Sequence, residues 1–200
     1  FFILLPAILA GWNPLGASAL IAAIVLFGAI FFTHGLNRES VVAYTGTMIA
    51  VGITIIFAIF AVSITFLTGF ASEGSVALNF NTQGTLDLSA VLLGAIIIGV
   101  LGVLDDIAVT QAAVVTELFN SNRALTRKIV FMKALRVGRE HVGALVNTLV
   151  LAYTGAALPL LLFYYVSSSD MSMSLSSELF ATEIVRIIVG SIGLIMTVPI

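Results

Sequence analysis

Asp105 and Asp106 are adjacent, and they are the only charges between Leu88 and Val115. Everything around them is apolar, Gly-rich sequence, LGAIIIGVLGVLDDIAVTQAAVV. A carboxylate at membrane depth is costly, so such residues usually face a protein interior or a water-filled cavity and serve a purpose. Held away from water, a carboxyl is easier to protonate, which is what a proton carrier near neutral pH requires. At about 100° per residue, Gly99, Gly102, Asp106, Thr110, Ala113 and Glu117 fall on one stripe. Small residues let a neighbouring helix approach closely. The stripe therefore predicts Asp106 buried in a helix–helix seam, with Asp105 turned about 100° away.

The bland reading stands beside this. Asp105 lies about 25 Å along a helix that begins at Leu88. That depth is near an interface, where the pair could be a solvated helix end or a counter-charge for Arg38 or Arg139. The apolar stretches Ile107–Val109 and Ala112–Val115 enclose the acids on both sides and favour a functional pair.

Other polar residues could complete a site. Asn147 and Thr148 fall inside a later apolar run, where an Asn is more often interhelical glue than a positioning group. His34 and His141 flank helix ends, but their spacing with the acids is not a ligand motif, so no metal site is assigned. Glu117 is a further charge partner. Intramembrane aspartyl proteases need acids on two helices, and these share one. Enzymes acting on Mg²⁺-pyrophosphate substrates add acids and a cation nearby, whereas positions 108 and 109 are Ala and Val. No nucleophile–base constellation or phosphate loop is present, and no cofactor is implied.

The elements that must position these groups follow from composition. The 200 residues are 60% hydrophobic and 9% charged, against about 25% charged in a soluble domain, so lipid is the main solvent. With no cysteine, disulfides and thiolate chemistry are excluded. A net charge of −2 gives no reason to expect nucleic acid.

A membrane-spanning helix needs about 20 apolar residues. Leu15–Phe32, Val41–Phe66, Leu88 onward, Val142–Val166 and Ile184–Ile200 qualify. Phe1–Ala10 reads as a partial span, closed by a turn at Gly11-Trp12-Asn13-Pro14. Gly155 and Pro159 are candidates to bend the fourth span. The expectation is an all-α polytopic transmembrane bundle forming one domain over residues 1–200, cut from a longer chain. Arg38 lies in the connection 33–40, and Arg123, Arg127, Lys128, Lys133, Arg136 and Arg139 in 116–141. Connections 67–87 and 167–181 carry Glu73, Asp87, Asp170 and Glu178 and no Lys or Arg. The positive-inside rule puts the first two connections inside. Arg186 dissents, and Glu183 three residues before it is its natural helical partner. Thr126–Arg139 is amphipathic, with Ile129, Met132 and Leu135 on one face, and reads as a helix lying on the inner membrane surface with Thr126 as N-cap.

The runs GVLDDIAVTQAAVVTEL and ALRVGREHVGALVNTLVLAYTGAALPLLL, with THGLNRES, the GWNP turn and EIVRIIVGSIGLIMTVP, resemble the YibE/F-like family of bacterial membrane proteins over essentially the whole chain. That resemblance implies a multi-pass protein of the bacterial inner membrane, often carrying an extracytoplasmic domain ahead of its spans. An acid in a helix, an Arg-rich connection and a following helix with Asn-Thr are also similar to half of a SecD/SecF or resistance-nodulation-division membrane domain. Those proteins use intramembrane Asp residues for proton coupling. By position only Asp105 and Asp106 correspond, with Asn147 a looser match. Two functions follow as expectations: proton- or cation-coupled transport through Asp105/Asp106, or a non-catalytic membrane subunit whose acids hold helices, a partner membrane protein or a second copy together.

Overall fold

The computed structural model describes residues 2–166 and 177–200. Among them are eight helices and no strand: α1 Leu4–Leu9, α2 Pro14–His34, α3 Arg38–Thr65, α4 Glu73–Asn81, α5 Leu88–Ser121, α6 Arg127–Ala156, α7 Leu158–Val166 and α8 Glu178–Thr197. The chain is an all-α polytopic membrane bundle. α2, α3, α5 and α8 are each long and apolar enough to cross a bilayer, and α6 with α7 makes a fifth span if the bent pair is counted as one. Part of the connection 167–181, including Asp170, lies outside the described residues.

Local chemistry starts these helices where the sequence offers it. Asn13 caps α2 by accepting the Gly16 N–H at 3.0 Å, with Pro14 at the first helical position, where its missing N–H is not needed. Asn37 caps α3 through the Ser40 N–H at 2.8 Å. The Asp87 carboxylate caps α5 through Ser89 and Ala90. Backbone hydrogen bonds cannot go to lipid, so the caps and turns lie in the connections between the long helices. α4 itself, within the 67–87 connection, was not expected. A Ser72–Ser75 capping box starts it.

The fourth span is broken where expected. α6 ends at Ala156 and α7 leaves at 53°. Pro159 has no N–H to give the carbonyl of Gly155, and its ring crowds that turn.

The amphipathic segment differs from expectation. Thr126–Arg139 is not a separate surface helix: it forms the first turns of the 30-residue α6. Thr126 does stand at the N-cap, but its side chain makes no cap bond. α5 likewise runs unbroken for 34 residues, about 51 Å. The two extend together at the basic end of the bundle, joined by residues 122–126, and pack against each other. The positions buried in this stretch are Val130, Ala134 and Gly138, whereas Ile129 and Met132 of the expected apolar face stay exposed.

α5 is the central element, packed by α2, α3, α6 and α8. Ile96, Ile97, Val100, Leu104 and Ile107 are fully buried on it. Because lipid is as apolar as Leu, association rests on close packing of small residues. Gly94 of α5 meets Ser18 of α2, and a Cβ at Gly193 of α8 would stand 2.5 Å from the Thr54 hydroxyl of α3. The buried hydroxyls of Thr47, Thr54 and Thr197 bond to carbonyls one turn back in their own helices, so they enter the seams without an unmet donor.

Candidate functional site: the acid pair and its surroundings

Rotation of α5 decides what the acids face. The residues directed into the bundle are Val100, Leu104, Ile107 and Ala108. The opposite stripe, Gly99, Gly102, Asp106, Ala113 and Glu117, is exposed. Asp106 is therefore not buried in a seam among the described helices, contrary to the pattern-based expectation. Nothing would lie within 4 Å of a Cβ at Gly102. Asp105 is half-buried, and its carboxylate accepts the Asp106 backbone N–H at 3.0 Å. The Thr110 hydroxyl donates to the Asp106 carbonyl at 2.7 Å, so its hydrogen is committed to the backbone.

The height of the pair is set by its neighbours. His34, at the end of α2, lines a cavity of about 120 Å³ with Val109, Ala112 and Ala113. The acids stand roughly 4 to 12 Å further into the span from that level. The Nδ1 of His34 lies 2.7 Å from the Thr33 hydroxyl. Ile107 packs with Val142, Leu145 and Val146, so Asn147 of α6 belongs to the same layer. Asn147 is exposed, as is Thr148, whose hydroxyl bonds to the Ala144 carbonyl.

The proposed charge partners are not brought to the acids. Among the described residues the one ion pair is Glu183–Arg186. Arg38, Arg139, His141 and Glu117 are all exposed. Among the described residues no three His, Asp or Glu side chains converge as metal ligands.

One polar feature escaped the sequence reading and a second was read only in part. Gln111 donates through Nε2 to the Ala134 carbonyl of α6 at 3.3 Å and to the Val198 carbonyl just past α8 at 3.2 Å. It joins three helices in one knot. Gly138 makes room for it, since a Cβ there would stand 2.7 Å from Gln111 Nε2 and 2.6 Å from Val198. An uncharged Gln beside two acids draws little notice, yet a Gln within an apolar helix is itself a sign of an interhelical bond. The second feature is at the acidic end. Arg186 pairs with Glu183 at 3.0 Å, as the spacing predicted, and also lies over the Tyr153 ring at 5.6 Å. The Tyr153 hydroxyl in turn occupies the space over Gly99. Arg186 Nε and the Thr182 hydroxyl are buried without a hydrogen-bond partner among the described residues.

The family described as YibE/F-like protein matches residues 1–200. No curated protein matches the chain, and no solved structure does.

Proposed function

The chain belongs to the YibE/F-like family, and from that premise we propose that this integral membrane protein acts as a subunit that assembles through the acid-bearing face of α5. One observation carries the reading: Asp106 is exposed, in line with Gly102 and Ala113, inside a span. A carboxylate against lipid is costly, while a stripe of small residues accepts another helix. A partner membrane protein or a second copy would supply the donor that the described residues do not. With the basic end of the bundle inside the cell, the surface would lie toward the inner side of the bacterial inner membrane.

The test uses the absence of native cysteine. Gly102→Cys, placed in native membranes and treated with a short bifunctional thiol or thiol–amine reagent, should give a cross-linked adduct. A dimer of the chain or a heterologous adduct identifies the occupant. Free labelling of the cysteine by a lipid-phase maleimide, with no adduct, would sink the reading.

A second reading rests on Asp105. It is half-buried inside the span and has no ion-pair partner among the described residues. That is the situation of a carrier for a proton or cation, with Asn147 as positioning group. It favours Asp105 over Asp106 in the transport role. An Asp105→Asn protein that is folded and inserted but has lost any pH-gradient-driven flux would support it; unchanged flux would exclude it.

A further inference from the structure

We infer that the cleft between α3 and α6 at the basic end is a binding site for an anionic phospholipid, with one acyl chain inside and the headgroup between Arg38 and Arg127. α3 and α6 make no extensive contact with each other, although both pack on α5 and α8. The gap they leave is a cavity of about 870 Å³, within the range of sites that enclose a small molecule.

Its walls are apolar and, among the described residues, uncovered. Val42 is 60% exposed, Val115 41%, Phe119 50% and Phe131 50%, and all four line the cavity. They come from three different helices and face one space, so this is a concave apolar surface and not scattered exposure. Along α5 the cavity runs from Ala108 to Asn120, about 18 Å. Its deep end, at Ala108 and Gly46, is within the span. Its shallow end passes the level of His34 and emerges at Asn120 and Arg127. A cleft that starts in the hydrocarbon layer and opens at the headgroups matches a lipid tail lying beside its own leaflet.

Charge selects the headgroup. The rim carries Arg38 and Arg127 against the single acid Glu39, with the amides of Asn37 and Asn120 as neutral polar groups; the Thr116 hydroxyl is committed to the Ala112 carbonyl. Neither arginine forms an ion pair among the described residues. Two unpaired guanidiniums separated by an apolar cleft suit a phosphodiester, which offers several acceptor oxygens for forked donors. The site is independent of the acid pair, which lines neither end of it.

The experiment is lipid retention by the purified, delipidated protein. It is incubated with detergent micelles containing phosphatidylglycerol or, separately, phosphatidylethanolamine of the same acyl chains, then separated from free lipid and weighed by native mass spectrometry. The wild type should retain one phosphatidylglycerol well above phosphatidylethanolamine. Each rim cation near the headgroup is expected to be worth about fivefold, so R38Q/R127Q should lose about thirtyfold in affinity. R136Q/R139Q removes the same charge from the same end but not from the cleft, and should bind as wild type. Gly46→Phe should block the tail while leaving all charges in place. Gly46→Ala is its folding control, because a Cβ there meets only Ile200 at 4.0 Å.

Equal retention of the two lipids would overturn the proposal. So would an equal loss in R136Q/R139Q, since that is general attraction to the basic end. If Gly46→Phe fails to fold, the exposed arginine pairs still decide the question. No retention by a folded wild-type protein would mean that the cleft is closed by protein or takes no lipid, and would also overturn it.

Discussion

The Glu178 carboxylate grips Thr68 across 110 residues of chain: it accepts the Thr68 backbone N–H at 2.6 Å, the Thr68 hydroxyl at 2.8 Å and the Gly69 N–H at 2.7 Å. Glu178 is in the first turn of α8, and the loop it holds follows the left-handed residue Phe66 that ends α3. One anion thus fixes the acidic ends of two spans. Charge-assisted bonds of this kind are worth about 1.5 to 3 kcal/mol each when well shielded, and less here because Glu178 is partly exposed. Glu178→Ala is expected to lower stability by about 1 to 2 kcal/mol, read as a fall in thermal midpoint in detergent. Glu73→Ala, at an exposed position on α4, is the contrast and should change little.

Gly69 supports the same grip. It holds a φ of +83°, and a Cβ there would run into the Leu88 backbone carbonyl. Both the conformation and the space exclude a side chain. Gly69→Ala should destabilise by about 2 kcal/mol or more, exceeding the effect of Glu178→Ala in the same unfolding assay.

Glycines in the interior seams and on the open face should respond in opposite ways. At Gly193 a methyl group would press on Thr54, and overpacking of this kind costs about 1 to 3 kcal/mol. Gly102 has open space, so Gly102→Ala should be neutral or gain up to about 1 kcal/mol from helix propensity. Unfolding of the two variants side by side separates the packed seam between α8 and α3 from the open face of α5. A strong loss at Gly102 in the isolated, monomeric protein would contradict that assignment.

The Gln111 knot predicts a third contrast. Gln111→Leu removes both bonds to the Ala134 and Val198 carbonyls at nearly constant size, at a cost of about 1 to 2 kcal/mol. Asn147→Leu, on an exposed position of α6, should leave the unfolding midpoint of the isolated protein within experimental scatter.

Asp87 gives a pH dependence with a definite sign. Hydrogen bonds from the Ser89 hydroxyl first, then from the Ala90 N–H, favour its ionised form and hold its pKa below the usual aspartate range. Its ionised form therefore adds stability that is full above the unfolded aspartate pKa and disappears as pH falls through the lower folded value. Asp87→Asn keeps the capping acceptor without the charge. The advantage of wild type over Asp87→Asn in thermal midpoint should be present at neutral pH and vanish in strong acid. An advantage that grew on acidification would refute the assignment.

Orientation is tested by labelling. A cysteine at Asn81, exposed on the acidic end, should react in intact cells with an impermeant thiol reagent, and one at Ser121, exposed on the basic end, should not. The reverse pattern would invert the topology.

The linear order of residues determined a good deal by itself. Lengths of apolar runs located α2, α3, α5, α8 and the bent α6–α7 span, though not the start of α6, because a bilayer demands about 20 apolar residues whatever the fold. The Glu183–Arg186 pair acts within one helical turn, so it was legible without tertiary context. Pro159 marked the break for the same reason. What the tertiary structure decided was rotation and continuity. α5 has apolar or small residues all round, and lipid does not reward one face over another. The shapes of Gly94 against Ser18 and Gly193 against Thr54 set how the helices pack, and the rotation that results turns the Gly102–Asp106 stripe outward, where periodicity alone had placed it inside. Thr126–Arg139 reads as amphipathic either way, and only the presence of α5 alongside makes it the start of α6 and not a surface helix. The Gln111 knot and the cleft between α3 and α6 arise from segments far apart in sequence, and no local pattern encodes where two helices separate.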